Sequence, residues 1–164
     1  MQRVGMKPGV MRLGVALMLC ASVLAQGRPD FTGTWRFNQQ KSTPGIAGNT
    51  PNIAFPSQIV VKQSATDFDV ALTSVRQQPV SAVYKLDGSQ VKVQAPPGIM
   101  ETGAAKIEGA TLVITSKRSF SSPAGDTVVQ FKEVWSVAGP VLTIEKTRIE
   151  DGETATEKAV YDKT

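Results

Sequence analysis

The side chains able to do chemistry here are carboxylates, guanidiniums, ammoniums and phenols. The 164-residue chain has no histidine and a single cysteine, Cys20. A Ser-His-Asp triad, a Cys-His nucleophile pair and a Cys/His zinc site are therefore excluded. Asp67 and Asp69 alternate with Phe68 and Val70, which turns both acids away from the apolar face and toward water. Glu150, Asp151 and Glu153 crowd a turn and lack the spaced oxygen ligands of a calcium cage. No acid–base pair stands out, so the residues point away from an enzyme and imply neither metal nor cofactor.

What remains is recognition. Arg118 continues the alternation of Leu112 and Ile114, Lys146 and Arg148 continue that of Leu142 and Ile144, and Glu133 falls in register between Phe131 and Trp135. A buried cation needs a partner, so such positions are candidates for a ligand's polar group. The rival reading puts the Arg118 and Arg148 heads in water where their strands end, with Glu133 paired to one of them or turned outward by a bulge. Trp35, Phe68, Tyr84, Phe131 and Trp135 either line an apolar pocket or fill a core.

The elements that must position these groups are strands. Short alternating runs recur, separated by Gly, Pro, Asp or Ser. They cover 31–37, 58–63, 67–73, 80–86, 90–94, 104–108, 111–118, 127–137, 141–148 and 154–163. Asp87-Gly88 reads as a hairpin turn joining 80–86 to 90–94, and 119–126 as a loop. Residues 38–56 hold Pro44, Pro51 and Pro56 and read as a long non-helical loop. No run is long enough for a βαβ crossover, so the sheet is antiparallel. With so many strands, closure is favoured over open edges. The expected fold is an all-β, antiparallel up-and-down β-barrel of about 8–10 strands, with a two-sheet sandwich as runner-up.

The first residues read as an export signal. Arg3, Lys7 and Arg12 precede an uncharged run from Leu13 to Ala25, ending in Val23-Leu24-Ala25 with small residues where a signal peptidase reads. The run is too short for a comfortable membrane span. Cleavage is expected after Ala25, giving a signal peptide at 1–25 and one barrel domain at 26–164, secreted or periplasmic. A lipid anchor on Cys20 is disfavoured by the bulky Leu19 before it. The leader also explains the charge: of 18 basic and 14 acidic residues, the leader holds three basic and no acidic ones. Residues 26–164 are near neutral and carry no basic run, which excludes a nucleic-acid footprint.

The opening Asp30-Phe31-Thr32-Gly33-Thr34-Trp35-Arg36-Phe37 resembles the first strand of the calycin superfamily, which includes lipocalins and fatty-acid-binding proteins. The terminal 142–146 segment, the Asp151-Gly152 turn and Val160-Tyr161-Asp162-Lys163 resemble the closing strands of its ten-stranded members. The opening is also similar to that of small secreted bacterial lipocalin-like proteins. The resemblance implies that Gly33 and Trp35 form a plug at the barrel base, with an arginine, Arg148 by preference or Arg118, packed across the indole. It further implies that Arg118, Arg148 and Tyr161 bind a ligand carboxylate, with Tyr84, Phe131 and Trp135 lining the pocket. Where the fatty-acid-binding proteins insert a two-helix lid, 38–56 is proline-rich. The expected function is non-catalytic binding of a small hydrophobic or amphipathic ligand inside a monomeric barrel. The alternative is a structural or protein-interaction module of the bacterial envelope with a solid core.

Overall fold

The computed structural model describes residues 27–43, 55–74, 77–95, 99–123 and 125–164. Ten strands make one antiparallel sheet: β1 (Gly33–Phe37), β2 (Gln58–Gln63), β3 (Asp67–Ser74), β4 (Gln77–Lys85), β5 (Val91–Val93), β6 (Ile99–Glu108), β7 (Thr111–Ser122), β8 (Gly125–Ala138), β9 (Val141–Glu150) and β10 (Glu153–Lys163). Their order is β4-β3-β2-β1-β10-β9-β8-β7-β6-β5. The first strand thus pairs with the last, Trp35 opposite Lys163 and Phe37 opposite Tyr161. Among the described residues the one helical element is a single 3-10 turn, Gln39–Lys41, and no helix is long and apolar enough to cross a membrane. The expected antiparallel barrel is the observed fold. The expected signal peptide, including Cys20, lies outside the described residues.

The barrel is closed by hydrogen bonds everywhere except between the edge strands β4 and β5. There Ser81 Oγ donates to Gln94 Oε1 at 3.4 Å. Below it the chain leaving β4 turns onto β6: Asp87 bridges Lys106, and the Gly88 N–H donates to the Ala105 carbonyl at 3.0 Å. This corrects the expected hairpin. Asp87-Gly88 does turn the chain, with the Asp87 carboxylate accepting from the Ser89 N–H at 2.8 Å, but β5 is only three residues long and ladders with β6 instead. Pro79 sits in β4, where an edge strand tolerates its missing N–H.

Two further boundaries differ from the sequence reading. The expected loop 119–126 is mostly strand, because Ser119, Phe120 and Ser121 ladder with Val128, Thr127 and Asp126. Their small hydroxyl side chains look like loop chemistry, yet Phe120 keeps the strand parity. β6 starts at Ile99 rather than 104, since Glu101 and Gly103 occupy inward positions that periodicity expects to be apolar.

The ten strands put one floor on the barrel. Phe31, Trp35, Phe68, Leu112 and Leu142 are wholly buried, each contributing about 1.5–3 kcal/mol by leaving water. Phe31, Phe68 and Trp135 meet edge to face, the Phe68 and Trp135 rings 5.4 Å apart at 89°. The Trp35 indole N–H donates to the Phe31 carbonyl at 2.9 Å, so the buried donor is satisfied. The opposite end carries the β9–β10 turn, where Asp151 and Gly152 both have positive φ, 51° and 83°, as a two-residue type I′ hairpin requires.

Candidate functional site

Register stacks the inward-facing residues of β6 to β10 in tiers. Ile99, Phe120 and Thr127 form the row nearest the open end, and Glu101, Arg118 and Val129 stand side by side in the row below. Below lie Gly103, Ser116, Phe131, Arg148 and Ala155, then Ala105, Ile114, Glu133, Lys146 and Glu157. The next tier down is Ile107, Leu112, Trp135, Ile144 and Ala159, which is entirely apolar apart from the indole N–H. The inner wall therefore changes from apolar to charged within one strand repeat.

The charges are organised around Phe131. The Arg118 guanidinium lies 5.4 Å and the Lys146 ammonium 4.8 Å from its ring centre. Arg118 Nε and Nη2 both reach Glu101 Oε2, at 2.8 and 2.7 Å, and the Glu101 side chain is only 10% exposed. Lys146 Nζ sits 3.2 Å from Glu133 Oε1, while Glu133 Oε2 accepts from the Trp135 indole N–H at 2.9 Å. That second bond ties the polar tier to the aromatic floor. Arg148 pairs with Glu150 and is half exposed. Glu157 faces Lys146 but makes no ion pair among the described residues. Burial raises its pKa above the usual glutamate range, against the pull of Lys146 and Arg148.

Two phenols are buried in the barrel. Tyr84 is buried, and its pKa is driven far above the ordinary value by burial and then by Glu133 and Glu101, with Arg118 opposing. Its ring lies against Gly103, where an added Cβ would come 2.8 Å from Tyr84 Cε1. Gly103 is thus the cradle that lets a β4 side chain cross to β6. Tyr161 is wholly buried and edges onto Phe37 at 5.5 Å, which in turn stacks on Phe55. Burial and then Glu133 push its pKa far up. Its hydroxyl is buried with no hydrogen-bond partner among the described residues, a situation that costs about 1–3 kcal/mol.

These contacts bear on two expectations. Arg118 and Arg148 are each engaged by a glutamate, Glu101 and Glu150, while Tyr161 lies across from Leu142 and Phe37. The cation over Trp35 is Lys163, 5.1 Å from the ring centre, rather than Arg148 or Arg118. Register explains this: Lys163 is directly opposite Trp35, whereas Arg148 lies beside Phe131. Gly33 has φ +145°, and a Cβ there would come 2.6 Å from Lys163 Cε, so its missing side chain makes room for the lysine stem. Phe131 lies in the charged tiers and Trp135 in the floor. Local sequence pattern alone does not single out Glu101, Gly103, Glu157 and Lys163 as site residues. The parity of Tyr161 extended two and four residues finds Lys163 and Glu157. Residues 44–54 of the expected long loop lie outside the described residues. A separate open pocket of about 410 Å³, lined by Arg28, Ala65, Thr66, Lys85, Leu86, Asp87 and Ile107, lies at the floor end.

No protein-family model matches the chain, and no curated protein does either. Solved structures do. Zebrafish ileal bile acid-binding protein in complex with cholic acid is 18% identical, with a TM-score of 0.57 over 82% of this chain and 98% of that one. A secretory abundant heat soluble protein from Ramazzottius varieornatus is 13% identical, with a TM-score of 0.58 over 83% and 96%. Secretory abundant heat soluble protein 4 of the same organism is 13% identical, with a TM-score of 0.53 over 81% and 94%. At these identities the likeness is one of fold, the ten-stranded antiparallel barrel.

Proposed function

We propose that this protein is a non-catalytic, exported carrier that holds a small amphipathic ligand inside the barrel. One observation carries the reading: the inner wall splits into an aromatic floor and a charged upper tier. The ion pairs of that upper tier are only partly buried, so the solid apolar packing of the floor does not continue through it. The chemistry suits a ligand whose apolar body lies on Trp135 and Phe131 and whose polar group reaches the tier above. Cholic acid in the zebrafish relative is an amphipathic molecule, which agrees with this assignment. Export rests on the leader-like first 25 residues.

The test is native mass spectrometry of protein purified without detergent from its own host, followed by solvent extraction. A co-purifying small amphiphile is the expected result. A bare chain that also fails to take up a solvatochromic apolar dye would sink the carrier reading in favour of a solid interaction module.

A further inference from the structure

The outer wall of the barrel distributes its charge unevenly. Alternation turns outward every residue between two inward-facing ones, and the ladders set these outward residues in rows. Toward the open end, Met100 and Val128 stand on either side of Ser119. In the next row Lys92 and Lys117 stand on either side of Thr102, and Ile149 lies beside Gln130. Lys132 follows one row lower. The other outward positions of these three rows on β5 to β10 are Thr, Ser, Gln or Ala, and none is a carboxylate. Asp126 and Asp151 sit beyond these rows, near the tips of two hairpins. One row toward the floor the signs mix again, Lys106 and Lys158 with Glu145. The three rows also hold Met100, which is 72% exposed, Val128 and Ile149, three of the four exposed large apolar side chains among the described residues. Lys92, Lys117 and Lys132 are exposed and have no ion pair among the described residues.

We infer that this wall, the outer face of β5 to β9, docks the barrel on an anionic lipid bilayer. The inference goes beyond the carrier reading and holds whatever the barrel contains. Such a surface meets both features of the wall. Its acyl boundary takes the methionine and aliphatic side chains, and its phosphates lie at the depth that lysine stems reach. Neither feature suffices alone, because three apolar side chains bury little area and three lysines are screened by salt. A carboxylate held against the phosphates would oppose a lysine, and these rows have none. An acidic protein is a poorer fit. Lys92 and Lys117 are two strands apart, roughly 10 Å, with only Thr102 between them, and Lys132 lies in another row. A folded partner would have to present carboxylates at those fixed positions and cover Met100, Val128 and Ile149 as well. Lipid headgroups diffuse in the plane and gather under charges at any such spacing, while the boundary beneath them accepts apolar side chains of any shape.

The experiment is vesicle flotation of the full-length chain as its own host produces it, purified without detergent. Vesicles of phosphatidylglycerol and phosphatidylcholine in equal parts should carry the protein at low ionic strength and release it at about 0.5 M salt. Pure phosphatidylcholine vesicles should not carry it. Lys92→Gln, Lys117→Gln and Lys132→Gln together should weaken partition about a hundredfold, at about fivefold per lysine. Arg28→Gln, Arg36→Gln and Lys62→Gln together remove the same charge from the side of β1 and β2, and should cost less than about fivefold. Met100→Ser, Val128→Thr and Ile149→Thr together should weaken partition about tenfold. All the side chains replaced are exposed, so each variant should keep the far-UV circular dichroism of the parent. Failure of the parent to float with phosphatidylglycerol overturns the proposal. So does an equal loss in the two charge variants, which reports net charge and not this wall. Full binding by the apolar variant also overturns it, since the contact is then electrostatic adsorption without seating.

Discussion

Tyr161 and Glu157 are two residues whose polar groups burden folding. The Tyr161 hydroxyl is buried and unpaired, so its removal relieves a desolvation cost while the ring keeps its place against Phe37. Tyr161→Phe is expected to raise unfolding stability by about 1 kcal/mol, read by denaturant titration. A variant that loses stability would mean the hydroxyl has a partner in solution. Glu157 gives a pH signature. Its pKa is higher in the folded protein than in the unfolded chain, so the folded state holds that proton more tightly. The associated stability is present below the ordinary glutamate pKa and fades as pH rises through the folded value. Glu157→Gln should therefore raise Tm at neutral pH by about 1–3 °C, and the gain should vanish in acid. A gain that persists unchanged at low pH would point to packing instead of charge.

At the level of strands, the crossing of Tyr84 onto Gly103 holds β4 against β6 where the ladder is interrupted. Gly103→Ala should cost about 1–3 kcal/mol through displacement of the buried ring. In a Tyr84→Leu background that cost should largely disappear, which a double-mutant cycle would show as a strong coupling. Additive effects would mean that the glycine serves β6 alone. This contact also marks what periodicity reveals and what it hides. Alternation exposes the inward face of β8, where Val129, Phe131, Glu133, Trp135 and Val137 repeat every second residue, and the I′ turn at Asp151-Gly152 is visible in its residue types. It hides the start of β6, because Glu101 and Gly103 occupy inward positions for partners on β7 and β4. A residue chosen for a neighbour far along the chain carries no local signal. For the same reason Arg148 was expected over Trp35, when cross-strand register assigns that place to Lys163.

For the whole molecule, one topological feature has consequences for how the barrel forms. The sheet runs in chain order on either side of a single non-local join, where Trp35 meets Lys163 and Phe37 meets Tyr161. Every other hydrogen-bonded neighbour is the next strand along. The tryptophan plug therefore waits, unpartnered on one flank, until the last strand is available, and closure is the late and slow event. Rearranging the order of synthesis would remove the delay. A circular permutant that links Thr164 to the segment before Phe31 and opens the chain between Gly88 and Gln90 would begin at β5 and end at β4. The existing seam would become its pair of chain ends, and every ladder would join consecutive strands. Its contact order drops sharply, so it should refold faster than the natural arrangement, measured by stopped-flow tryptophan fluorescence, while its unfolding rate stays close to that of the parent. Equal refolding rates would show that barrel closure through β1 and β10 is not the limiting step.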